Sequence, residues 1–81
     1  MEKIRLAYIG CGGMGHRHLY GLAELHRAGI CKFEPVAACD PNQENAASLA
    51  AQIREHFGTE AAVVGSTDDL GAVGGIQAVD I

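Results

Sequence analysis

The sequence predicts an α/β fold built on a parallel sheet, with elements in the order β-α-β-α-β-α-β. Three observations predict it. Short apolar runs at residues 3–9, 34–39, 61–64 and 77–81 alternate with stretches whose apolar residues recur every three or four positions. The first run passes directly into Gly10, Gly12 and Gly15, spaced G-x-G-x-x-G, which open the first helical stretch. Turn-forming residues stand at the junctions: Gly29, Pro41-Asn42, Gly58 and Gly74-Gly75. Strands that alternate with helices pack as a parallel sheet joined by right-handed crossovers.

Each element has its own warrant. Residues 3–9 form strand one, and apolar side chains become continuous toward its end, as in a strand covered on both faces. Residues 13–28 form helix one, with Leu19, Leu22, Leu25 and His26 on one face and Gly29 as its C-cap. Gly21 interrupts that helix, costs about 1 kcal/mol against alanine, and suggests close packing on the sheet. Residues 34–39 form strand two, where Pro35 belongs at the beginning because it lacks an N–H. Asn42 caps helix two over residues 43–56, whose apolar face is Ala46, Leu49, Ala50, Ile53 and Phe57, and Gly58 ends it. Strand three covers residues 61–64. Ser66 or Thr67 caps a brief third helix over 68–73, with Asp68 and Asp69 in its first turn where the helix dipole favours acids. Residues 77–81 form strand four.

The glycine spacing has a physical use. Gly10 takes the tight turn out of strand one. Gly12 lets the backbone approach a pyrophosphate, and Gly15 lets the helix pack against the strand. Unpaired N–H groups around Gly13 and Met14 then face the phosphates, and the helix dipole adds to the attraction. In a chain with eleven glycines the spacing alone is weak, but here it follows a strand and opens a helix in a βαβ unit of the right length. Asp40 ends strand two, 25 residues after Gly15, where a carboxylate accepts hydrogen bonds from the adenosine ribose hydroxyls. The same charge repels a 2′-phosphate and favours NAD over NADP. The competing reading of Asp40 is a turn residue before Pro41. The expected cofactor contacts are therefore Gly10, Cys11, Gly12, Gly13, Met14, Gly15 and Asp40, in a Rossmann-type dinucleotide-binding domain.

Composition limits the alternatives. A chain of 81 residues allows one small domain that buries only roughly 60% of its unfolded surface. A hydrophobic content of 48% argues against disorder, and a net charge of −4 offers no electrostatic footprint for nucleic acid or an anionic membrane. No apolar run approaches membrane-spanning length, and no secretion signal precedes strand one. The three cysteines, Cys11, Cys31 and Cys39, read as reduced thiols of a cytoplasmic protein.

Other candidates carry less. His16 and His18 stand two apart on a helix and point in different directions, so they do not share a metal site. His18 is expected to pack or hydrogen-bond near the loop, and His26 and His56 to lie on the surface. Cys11 sits near a helix N-terminus, a setting that can lower a thiol pKa. Arg17 reads as a solvated helix residue rather than a phosphate contact. No residue pairs as nucleophile and base, so no catalytic residue is assigned.

Ile4-Arg5-Leu6-Ala7-Tyr8-Ile9-Gly10-Cys11-Gly12-Gly13-Met14-Gly15, followed by His18, Ala38-Cys39-Asp40-Pro41 and Ala78-Val79-Asp80-Ile81, closely resembles the start of the glucose–fructose oxidoreductase / inositol dehydrogenase / MocA family. The resemblance runs through the whole chain in order. It implies an N-terminal NAD(P)-binding Rossmann domain, a C-terminal α/β domain with a large open sheet, and hydride exchange with sugars, cyclitols or related small molecules. It also implies assembly into homo-oligomers through the second domain. The family's catalytic lysine follows the fifth strand in a Glu-Lys-Pro motif, and its other catalytic groups lie in the second domain, so all fall beyond Ile81. In a doubly wound sheet the fourth strand is central and needs a further neighbour. Residues 1–81 are therefore expected to be the N-terminal part of the cofactor domain of a longer protein, with the sheet incomplete at the C-terminus. Two other classes remain: a non-catalytic dinucleotide-binding or redox-sensing module, and a methyltransferase using S-adenosylmethionine, against which the glycine spacing argues.

Overall fold

In a computed structural model, which describes residues 2–81, the chain forms β1 (Ile4–Ile9), α1 (Gly13–Arg27), β2 (Phe33–Cys39), α2 (Gln43–Phe57), β3 (Ala62–Val64), α3 (Leu70–Val73) and β4 (Ala78–Asp80). The four strands make one all-parallel sheet in the order β3-β2-β1-β4. The α/β class and the element order are those expected. β4 pairs with β1 alone, which leaves its other side an open edge, and its Val79 is 48% exposed.

The local sequence explains most element ends. Asn42 caps α2 by accepting a hydrogen bond from the Asn45 N–H at 3.2 Å. Gly58 ends that helix in the left-handed region at φ 73°. At the end of α1 the cap is Ala28, and Gly29 stands one position past it at φ 77°. There the Gly29 N–H reaches the His26 carbonyl and the Ile30 N–H the Leu25 carbonyl, a Schellman arrangement. The third helical segment divides into a 3₁₀ turn over Thr67–Asp69, capped by Ser66, and the single α turn of α3. β2 begins one residue earlier than expected, at Phe33, which makes Pro35 its third residue. The proline is accommodated because the pairing with β1 shifts register there, leaving Val36 outside the ladder.

The core lies between the sheet and the two long helices. Leu6, Tyr8 and Ala38 from the sheet meet Cys11 of the loop, Leu19 of α1, and Ala46, Leu49 and Ile53 of α2. Both helices cover one face because β1→β2 and β2→β3 step the same way with right-handed crossovers. The predicted face of α2 is buried or half-buried throughout. On α1 the inward row is Gly15, Leu19 and Ala23, spaced by fours, while Leu25 is 44% exposed. Gly21 is exposed, with open space where a Cβ would stand, so it does not serve close packing. His26 stacks on Phe57 at 4.6 Å, and His56 meets the edge of Tyr20 at 5.9 Å. Both histidines are thus half-buried in the α1–α2 contact rather than on the open surface.

Candidate functional site

The glycine loop joins β1 to α1 at the carboxyl end of the sheet. Gly10 adopts φ 91°, a region L side chains rarely enter, and its N–H still bonds to the Cys39 carbonyl at 2.9 Å. The chain then turns sharply into the helix. A Cβ on Gly15 would lie 2.5 Å from the Gly10 carbonyl oxygen, so α1 packs against the turn at a distance only glycine permits. At Gly12 and Gly13 a Cβ would meet nothing within 4 Å, which leaves open space above the loop.

The two long helices differ at their N-termini. α2 carries a side-chain cap and Glu44 in its first turn. α1 begins after Gly12 with no side-chain cap and no acid in its first turn. Its leading N–H groups and its dipole are therefore left for an external anion.

Asp40, at the end of β2, bonds the loop directly. Its Oδ2 accepts from the Cys11 N–H and its Oδ1 from the Asn42 N–H, both at 2.8 Å. These two N–H groups hold its carboxyl below the usual carboxylate range. Each oxygen keeps a lone pair for a further donor. The Cys11 side chain turns the other way, into the core, where its Sγ lies 3.4 Å from the Cys39 carbonyl. Burial, then the Asp40 charge, pushes the Cys11 thiol up to about 11, the reverse of an activated cysteine. All three cysteines are free.

Two cavities open at this end of the sheet, one at the loop and one beyond Asp40. One of about 430 Å³ is lined by Ile9, the loop glycines, Met14, His18, Asp80 and Ile81. The other, of about 310 Å³, is lined by Asp40, Pro41, Gln43, Val63, Val64 and Gly65. The first sits between the ends of β1 and β4, where the strand order reverses direction, the place ligands occupy in open α/β sheets. Met14 is 63% exposed at its mouth. His18 closes the β4 side, with Nδ1 2.8 Å from Asp80 Oδ1. Beneath them Tyr8, in register with Asp80, is buried, and burial followed by the Asp80 charge raises its phenol pKa.

The structure thus gathers Gly10 to Gly15 and Asp40 in one place. Arg17 is exposed. Sequence reasoning did not single out Asp80, although it ends β4 much as Asp40 follows β2. His16 was weighed only as a metal ligand, whereas its ring bonds the Gly12 carbonyl and Ser48. Among the described residues, no three or more His, Cys, Asp or Glu side chains gather into a metal-binding group, and no helix is long and apolar enough to cross a membrane.

This fold and strand order define a Rossmann-type α/β unit. No protein-family model and no curated protein matches the chain. Among solved structures, the crystal structure of the WlbA dehydrogenase from Bordetella pertussis, in complex with NADH and UDP-GlcNAcA, matches it with a TM-score of 0.70 and 29% identity. The match covers 96% of this chain and 21% of that one, so the chain spans about a fifth of the dehydrogenase's length. The likeness to dinucleotide-dependent dehydrogenases drawn from the residues is therefore met by a structural one.

Proposed function

We propose that residues 1–81 are the N-terminal part of the NAD-binding domain of an oxidoreductase of the glucose–fructose oxidoreductase / inositol dehydrogenase / MocA family. The observation that carries this reading is the crevice at the strand-order reversal. There an uncapped helix N-terminus, approached by backbone that only Gly10 and Gly15 allow, lies between a cavity at β4 and the Asp40 carboxylate. The NADH bound to the structurally similar dehydrogenase supports it.

In this reading the Gly13 and Met14 N–H groups hold the pyrophosphate. Asp40 accepts from the adenosine ribose hydroxyls on the β2 side, and the β4 side takes the nicotinamide half. Because Asp40 is held ionised, it repels a 2′-phosphate and favours NAD over NADP. When bound, the nicotinamide supplies the hydride donor or acceptor. The substrate is a sugar-like hydroxyl or carbonyl compound, in keeping with the UDP-sugar of the similar dehydrogenase. The groups that move the substrate proton lie outside these residues. Three free thiols fit a reducing compartment such as the cytoplasm.

The test is a titration of the whole protein with NADH and NADPH, followed by nicotinamide fluorescence. NADH binds at least about tenfold more tightly, and Asp40→Ser narrows that ratio by weakening NADH and relieving the repulsion of NADPH. Absence of NADH binding at about millimolar concentration, or protection from thermal unfolding by S-adenosylmethionine instead, overturns the reading.

A further inference from the structure

One hydrogen-bond chain ties the glycine loop to the neighbouring helix. His16 stands in the first turn of α1. Its Nδ1 lies 3.0 Å from the Gly12 carbonyl oxygen, and its Nε2 lies 3.1 Å from Ser48 Oγ on α2. A carbonyl oxygen only accepts, so Nδ1 carries a proton. In the neutral imidazole Nε2 then accepts, and the Ser48 hydroxyl donates. The same Gly12 carbonyl also accepts the first helical bond, from the His16 N–H at 3.0 Å. One residue therefore holds this carbonyl twice, and its far nitrogen is anchored on another helix.

What is held matters to an anion. In a trans peptide the C=O and the following N–H point in opposite directions. Holding the Gly12 carbonyl toward the helix aims the Gly13 N–H outward, where a phosphate would sit. This peptide lies between two glycines, so no Cβ restricts its rotation from either side. Beyond the loop's own neighbouring backbone, no atom lies within 4 Å of where either Cβ would stand. Its orientation rests on hydrogen bonds.

We infer that His16 and Ser48 are positioning residues that keep the Gly12–Gly13 peptide in its anion-binding orientation, before and during occupation by a pyrophosphate. The inference rests on the dinucleotide reading above, and in it neither side chain touches the cofactor. It separates loop geometry from the generic helix dipole: without the imidazole, α1 would keep its dipole and the backbone bond from the residue 16 N–H, but the Gly12 carbonyl would lose the second bond that steadies the Gly13 donor.

The test uses three variants of the whole protein. His16→Phe keeps a ring without nitrogens, His16→Asn keeps a donor near the Nδ1 position, and Ser48→Ala removes only an exposed hydroxyl. Dissociation constants are measured for NADH, for ADP-ribose and, by ligand-observed NMR, for adenosine, which lacks phosphate. His16→Phe weakens NADH and ADP-ribose by about tenfold and Ser48→Ala by about threefold, the scale of one to two hydrogen bonds. His16→Asn recovers most of the His16→Phe loss, and adenosine binding is unchanged in all three. The inference is overturned if His16→Phe binds NADH like the parent, if adenosine weakens in step with NADH, or if His16→Asn is no better than His16→Phe. Imidazole ¹⁵N shifts of the parent add a readout independent of any ligand. An Nε2-protonated neutral ring overturns the brace. A parent that binds no NADH yet shows the Nδ1-protonated ring overturns the dinucleotide reading and upholds the brace.

Discussion

Replacing Gly15 with alanine puts the geometry of the loop to a direct test. The new Cβ would lie 2.5 Å from the Gly10 carbonyl oxygen, about 0.5 Å inside the closest approach real Cβ atoms show. The oxygen cannot easily yield. Gly10 is held at φ 91° with its N–H bonded to Cys39, so the strain falls on α1, which must lift from the turn and loosen Leu19 and Ala23. Overpacking of this kind costs about 1–3 kcal/mol. Alanine's better helix propensity returns about 1 kcal/mol, leaving a net loss of up to about 2 kcal/mol. Gly21 on the same helix is the control. It is exposed with open space at its Cβ position, so Gly21→Ala stabilises by about 0.5–1 kcal/mol. Native-state hydrogen exchange of the Leu19 and Ala23 amides in the whole protein reads both changes, and an NADH titration follows the site. Gly15→Ala speeds exchange and weakens NADH, whereas Gly21→Ala slows exchange and leaves binding alone. A Gly15→Ala protein as protected as the parent, or a Gly21→Ala protein less protected, refutes the packing argument.

Two further outcomes follow from the charges around the loop. With its thiol pushed up to about 11 and its side chain fully buried, Cys11 resists iodoacetamide at pH 8, while half-buried Cys31 is alkylated first; mass spectrometry showing Cys11 modified as fast as Cys31 contradicts the burial described. Asp40 has a folded-state pKa below the ordinary 3.8, so its bonds to the Cys11 and Asn42 N–H groups contribute stability that is complete above that value and is lost as pH falls through the folded one. The difference in thermal stability between the parent and Asp40→Asn therefore stays constant above about pH 5 and shrinks below pH 3.8, and a difference that is flat across that window removes the role assigned to the carboxylate.

Much of this molecule is written locally. The periods of the apolar residues set the type and order of the elements. Asn42, Gly29, Gly58 and Ser66 mark helix ends because capping is settled by side chains and φ angles within a few residues of the end. The glycine spacing located the loop, and the end of β2 located Asp40. Where the reading of α1 slipped, at Leu25, the apolar pattern admitted more than one inward row. The close approach at Gly15 chose the row of Gly15, Leu19 and Ala23.

The rest was decided by strand order and by helix contacts, which bring together residues far apart in sequence. Pairing β4 beside β1 sets Asp80 over Tyr8 and against His18, closing one wall of the crevice. Laying α2 beside α1 brings Ser48 to His16, and through its ring adds a second hold on the carbonyl of a peptide between two glycines. The Asp40 carboxylate meets the Cys11 N–H only because β1 and β2 end side by side. By itself the sequence determined that a loop suited to a pyrophosphate follows the first strand. Only the tertiary structure decided how that loop is held, because the groups that hold it belong to neighbouring elements and meet it only once the sheet and its helices have packed.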